Sequence, residues 1–245
     1  MLSKVYCANC KGLEVTSVTV EVEVSDGICF YMVGLADSAV KESQQRISSA
    51  LARFGYRIPG KKIIINLAPA NLKKEGSAFD AAIAIGIISA SGQNTFQHLQ
   101  DFMIIGELAL DGSLRGTTGA LPIALHAAEQ GFKGCILPKE SAAECADVDG
   151  ITIFQAETLA EVIEILSSPE TATSYIPLKR ENVRKTEWEY DFAHVRGQHL
   201  AKKGLEIAAA GGHNAIVFGN LNTGAYICKK YFYDTRRLCK IRFRE

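Results

Sequence analysis

KKIIINLAP (residues 61–69), NLKKEGS (71–77) and AFDAAIAIGIISAS (78–91) decide the fold. Three consecutive isoleucines within Lys61 to Leu67 read as a strand covered on both faces. Pro69 stops it, because proline offers no N–H to a ladder. Asn71 to Ser77 reads as a polar loop, with Lys73, Lys74 and Glu75 charged. Ala78 to Ser91 is apolar and alanine-rich enough for a buried helix. Strand, polar loop and buried helix in that order make an α/β unit.

Upstream, Val18, Val20, Val22 and Val24 alternate with Thr19, Glu21 and Glu23, the period of a half-buried strand. Ser25-Asp26-Gly27 turns the chain, and Ile28 to Val33 returns as a second strand. Asp37 or Ser38 caps a helix whose stripe is Val40, Ile47, Leu51 and Phe54, closed by Gly55. Downstream, Phe102 to Leu108 reads as a strand turned by Asp111-Gly112. Gly119 to Gln130 reads as a helix ended by Gly131. Gly134 to Leu137 and Ile151 to Phe154 are short strands. Ala156 to Leu166 is a helix with Leu159, Val162, Ile163 and Leu166 on one side. Residues 167–187 lose periodicity and read as a linker. A new pattern starts near Trp188: a helix over Gln198 to Ala210, a Gly211-Gly212-His213-Asn214 turn and an apolar strand over Ala215 to Phe218.

Bulk numbers narrow the function classes. The 245 residues suit one or two domains, with 47% apolar residues to build a core. Lys plus Arg and Asp plus Glu stand at 27 each, so no global field draws the chain to nucleic acid or an anionic membrane. Neither a membrane span nor a signal peptide is legible, and the seven cysteines lack framework spacing. The expectation is a reducing, cytoplasmic setting.

Three stretches carry a resemblance: Val33 to Leu51 (VGLADSAVKESQQR and onward), Ile65 to Asp80 (INLAPANLKKEGSAFD), and Asp191 to Asn214, with VRGQ and LEIAAAGGHN. They resemble the ComM/YifB family of magnesium-chelatase-like AAA+ ATPases, and with their spacing they cover about nine tenths of the chain. The resemblance implies a ribosomal-S5-domain-2-like, Lon-protease-like α/β (α+β) domain over 1–166 and an incomplete P-loop AAA+ segment over 188–245. For the full-length family it implies ATP and Mg²⁺ as cofactors, ring-forming self-association, and ATP-driven branch migration of DNA.

A Lon-type peptidase needs a serine nucleophile and a near-neutral lysine within hydrogen-bond reach. Its serine lies in an Asp-Gly-Pro-Ser-Ala-Gly loop. The similar loop here is Glu75-Gly76-Ser77-Ala78-Phe79-Asp80, which puts Ala78 at the nucleophile position and Ser77 one residue early. Where Lon has Gly-Gly-Leu-Lys, this chain has Gly119-Ala120-Leu121-Pro122, so Leu121 replaces the base. Ser77 is therefore read as vestigial, a cap for the following helix. No Ser-Lys proteolysis is expected, and a Lon-like serine peptidase is the alternative reading.

The family's Walker A loop is Gly-Pro-Pro-Gly-Ser-Gly-Lys-Thr. Here Gly219, Asn220, Leu221, Asn222, Thr223, Gly224, Ala225 and Tyr226 stand in its place. The frame glycines remain, but the phosphate-gripping lysine is Ala225 and the Mg²⁺ hydroxyl is Tyr226. The expectation is a degenerate loop, no nucleotide bound and no ATP hydrolysis by this chain. Its tail interleaves Lys229, Lys230, Arg236, Arg237, Lys240, Arg242 and Arg244 with Tyr231, Phe232, Tyr233 and Phe243. That pattern reads as a nucleic-acid patch, giving a stand-alone DNA-binding module, or as a shifted reading frame. The second is favoured. The codons from Cys228, read one base later, can encode a segment similar to one the family carries after its P-loop.

Two smaller constellations are read as structural. Cys7 and Cys10 form a lone Cys-x-x-Cys pair without the second pair a zinc site needs. None of His98, His126, His194, His199 and His213 pairs at metal spacing. His213 is expected to order its turn. Lys73-Lys74-Glu75 is a charged loop that, in an assembled ring, would face DNA or a neighbouring subunit.

Overall fold

The structure, a computed structural model, describes residues 1–172, 196–213 and 215. The chain divides into two compact units, residues 1–178 and 179–245.

The first unit begins with an antiparallel hairpin. Strand β1 (Leu2–Lys11) pairs with β2 (Glu14–Ser25) from Leu2 opposite Glu23 to Lys11 opposite Glu14. Residues directly opposite share a face, so Val5 and Val20, and Cys7 and Val18, point into the core together. Strand β3 (Cys29–Val33) follows, then helix α1 (Ser38–Arg53) and strand β4 (Lys62–Ala68). The return strand does not pair with β2 as its short turn suggests. β4 lies between them, antiparallel to β2 and parallel to β3. A parallel pair needs a crossover, and α1 supplies it.

β4 also differs from its reading as a strand covered on both faces. Ile63, Ile65 and Leu67 are buried, whereas Ile64 and Asn66 are half-buried on the opposite face. The covered face is the one on which helix α2 (Asp80–Ala90) lies. Every α2 residue except Ser89 is buried. Gly86 allows this approach: a Cβ there would stand 2.6 Å from Cγ2 of Val22.

The expected strand over 102–108 is two pieces, β5 (Phe102–Ile104) and β6 (Glu107–Leu108). Gly106 breaks it, donating to the Ala78 carbonyl and accepting from the Ala81 N–H, which anchors the start of α2. β6 pairs with β7 (Leu114–Arg115) around Asp111-Gly112, where Gly112 has φ +83°. Then come α3 (Ala120–Glu129), β8 (Gly134–Pro138), the short α4 (Lys139–Ala142), β9 (Thr152–Ala156) and α5 (Leu159–Ser167). The main sheet runs β3-β4-β2-β1-β5-β8-β9, and β1, β5, β8 and β9 are mutually parallel. Thr158 caps α5, accepting from Glu161 N–H at 3.3 Å, and Leu159, Val162, Ile163 and Leu166 are buried as read.

The second unit is described over helix α6 (His199–Ala210) and its end. The His213 N–H donates to the Ala208 carbonyl at 2.8 Å, closing the turn after the helix. Most of the expected linker, the strand after Ala215 and the loop Gly219–Tyr226 lie outside the described residues.

Candidate functional site

The loop between β4 and α2 is stitched to the segment entering α1. The Lys74 N–H donates to the Leu35 carbonyl, and the Asp37 N–H to the Lys74 carbonyl, both at 3.1 Å. Asp37 then serves twice. Its Oδ1 accepts from Val40 N–H at 2.8 Å, capping α1, and its Oδ2 accepts from Gly76 N–H at 3.2 Å. An acceptor at a helix start satisfies an orphan N–H. Here the same carboxylate also fixes the loop that carries Ser77.

Lys74 corrects its expected role on a solvent-facing charged loop. Its side chain is fully buried and Nζ donates to the Pro69 carbonyl. Burial pushes its ammonium below the usual lysine range. Lys73 stays outside, paired with Glu75 at 2.6 Å. Lys74 therefore cannot face DNA or a neighbouring subunit.

Ser77 also departs from its expected role. Phe79 is the N-cap of α2, with no side-chain cap bond. The Ser77 hydroxyl instead donates to Oε2 of Glu107 on β6, whose Oε1 lies 3.5 Å from Arg115. The Ser77 carbonyl accepts from Asp80 N–H at 3.2 Å. Three lysines of this unit are engaged elsewhere: Lys133 reaches Asp101 at 2.8 Å, Lys139 pairs with Glu157, and Lys74 holds Pro69. Leu121 is 40% exposed on α3. Among the described residues Ser77 has a carboxylate as its hydrogen-bond partner and no amine, and a carboxylate is a far weaker base than a neutral lysine.

Beneath the loop, Asp80 is fully buried and meets Arg46 of α1 through two bonds, Nε to Oδ2 at 2.6 Å and Nη2 to Oδ1 at 3.1 Å. The Leu108 N–H donates to Oδ2 at 3.2 Å. Burial drives the Asp80 carboxyl upward while Arg46 pulls it down, and Asp80 in turn raises Arg46. The pair ties α1, α2 and β6 into one frame around Ser77. The sequence held one signal for it: a lone acid in an apolar helical run needs a partner. Glu107 carried none, because its pairing with Ser77 spans 30 positions.

Cys7 and Cys10 fall on opposite faces of β1, as residues three apart on a strand must. Cys7 is buried, which pushes its thiol up to about 12. The Cys10 sulfur sits beside Gly119. Among the described residues no three metal-binding side chains gather. His126 bonds Ser17 at 2.9 Å and His98 lies 3.5 Å from Asp101; His194 is outside the described residues. None of the described helices is long and apolar enough to cross a membrane.

Known proteins supply the family. A model described as subunit ChlI of Mg-chelatase matches residues 20–141, and a second, magnesium chelatase, subunit ChlI, matches 191–233. The competence protein ComM of Haemophilus influenzae is 40% identical over 230 residues, 91% of this chain and 44% of that protein. The uncharacterized protein YifB of Escherichia coli is 39% identical over 224 residues, with the same coverage of each. The archaeal Lon protease of Methanocaldococcus jannaschii is 26% identical over 145 residues, 59% of this chain and 22% of that protein. The chain thus spans under half the length of ComM and YifB. Two family models along one chain, with matches of this length to both proteins, make it a member of the ComM/YifB family of magnesium-chelatase-like proteins.

Proposed function

We propose that residues 1–166 form a Lon-like domain without peptidase activity, which serves as the N-terminal scaffold of a DNA-processing AAA+ motor. In this reading, residues 167–187 link it to the start of the motor domain, 188–245. The observation that carries the first half is the partner of Ser77. Its hydroxyl is held by Glu107, and Leu121 stands where the related peptidase carries its base. A hydroxyl with no amine beside it is not activated for attack on a peptide carbonyl.

The motor half rests on the likeness to ComM, whose name ties that protein to competence. In full-length members the proposal gives ATP and Mg²⁺ as cofactors, ring assembly, DNA as substrate and the cytoplasm as location. The donor set of this chain does not suit ATP with Mg²⁺. Ala225 offers no charge to phosphate and Tyr226 no small hydroxyl to the metal, so no hydrolytic step is assigned here.

Three assays of the purified chain test the proposal. No casein hydrolysis is expected, and Ser77→Ala leaves the trace unchanged. No ATPase turnover above buffer is expected. Peptide hydrolysis abolished by Ser77→Ala would overturn the scaffold reading. A salt titration of DNA binding then separates a local basic patch from none, because phosphate contacts give a steep salt dependence.

A further inference from the structure

We propose that β3 is a docking edge for β3 of a second copy of this chain, paired antiparallel about a two-fold axis through Tyr31. β3 ends the main sheet, and among the described residues it is paired on one side alone, with β4. Alternate backbone N–H and C=O groups on its other side therefore point outward, which is the chemistry of a strand partner. Edges are ordinarily blunted by lysine, proline, a bulge or a covering loop. The sequence Cys29-Phe30-Tyr31-Met32-Val33 has no charge and no proline. The opposite edge, β9, differs: the Leu114 N–H donates to the Glu157 carbonyl and the Leu159 N–H to the Gly112 carbonyl, so the β6–β7 hairpin closes over its end.

Charge and shape select the copy as occupant. From Gly27 to Ala36 there is no ionisable carboxylate or amine, and Asp26 and Asp37 bound the stretch. A copy laid antiparallel meets no like charge along it. With Tyr31 on the axis, Phe30 falls opposite Met32 of the copy and Cys29 opposite Val33. Ile28, 91% exposed, falls opposite Gly34, which has no side chain to clash. Gly34 is bare for an independent reason, since a Cβ there would stand 2.2 Å from the Leu67 carbonyl oxygen. Tyr31 and Val33, 56% and 47% exposed, would meet their counterparts on the open sheet face. Apolar and aromatic cross-strand pairs of this kind are stabilising, and a two-fold contact uses one self-complementary patch.

Sedimentation equilibrium of the 245-residue chain over about 1–100 µM tests this. A monomer–dimer equilibrium is expected. Tyr31→Lys sets two ammonium groups against each other on the axis and should weaken the dimer at least tenfold, about 1.4 kcal/mol. At concentrations where both proteins are monomeric its melting temperature should stay unchanged, because residue 31 is an exposed edge position. Val33→Cys sets a thiol opposite Cys29 of the copy, so oxidation should give a band at twice the 26.6 kDa chain mass, lost on adding Cys29→Ser. A monomer at every concentration, self-association undisturbed by Tyr31→Lys, or a band that survives Cys29→Ser would each overturn the proposal.

Discussion

Removing Arg46 should destabilise the first unit more than any other single surface-accessible change, and should steepen the fall of its stability with rising pH. Arg46 contributes two charge-assisted bonds to Asp80. Its side chain is 21% exposed and that of Asp80 1%. After Arg46→Ala the carboxylate keeps one donor, the Leu108 N–H. Stripping one partner from a buried pair costs about 3–5 kcal/mol. Asp80→Ala should cost less, about 2–3 kcal/mol, because the freed guanidinium can turn to solvent while a small void remains. With Arg46 gone, burial and the nearby Glu107 oppose the one remaining Leu108 N–H bond, so the folded pKa of Asp80, already raised in the parent, moves further above the unfolded value. The native state then holds more protons than the unfolded chain between those two values, and stability falls as pH rises through that window. The gap between Arg46→Ala and the parent should therefore widen as pH rises past the parent's own raised Asp80 value and narrow below it. Urea melts of the parent, both single variants and the double variant, at several pH values, measure the coupling. A coupling under about 1 kcal/mol, or an Arg46→Ala deficit that shrinks with rising pH, would refute the reasoning.

Three further outcomes follow from the same frame. Lys74→Met should raise stability by about 1 kcal/mol at neutral pH, since it replaces a buried ammonium by an apolar chain of similar reach. Because burial lowers the folded pKa of Lys74, the parent gains stability as pH rises toward the ordinary lysine value, so the two thermal-melt curves should converge there. Gly86→Ala should cost about 1–2 kcal/mol in denaturant melts, the clash with Val22 outweighing the better helix propensity. Cys7, buried and pushed up to about 12, should resist iodoacetamide at pH 8 in the folded chain, as followed by mass spectrometry, while the half-buried Cys10 and Cys29 are modified before it.

Much of the frame was legible because its signals are local. The valine alternation of β2, the Asp37 cap of α1, the apolar run of α2 and the stripe of α5 each sit within one element. β1 escaped reading because its inward positions include Ser3 and Cys7, small residues without a hydrophobic period. The β3 pairing escaped because a short turn suggests a hairpin, whereas the partner arrives some thirty residues later. At the site, Ser77 and the absence of a base at Leu121 were readable. Glu107 and the Arg46–Asp80 pair were not, since each joins residues at least 30 positions apart. The inward turn of Lys74 contradicts the ordinary preference of lysine for water, and propensity could not reveal it.

The enclosure of α2 governs the order in which the nascent chain can settle. A helix with no wet side gains nothing from forming early, and its eleven residues are as adhesive to one another as to their eventual neighbours. Its first turn is clasped from Gly106 and Leu108, which leave the ribosome after it does. Until then the segment is a sticky stretch looking for cover, so a polypeptide cut between residues 91 and 105 should clump rather than fold, and the first unit should assemble as a whole or not at all.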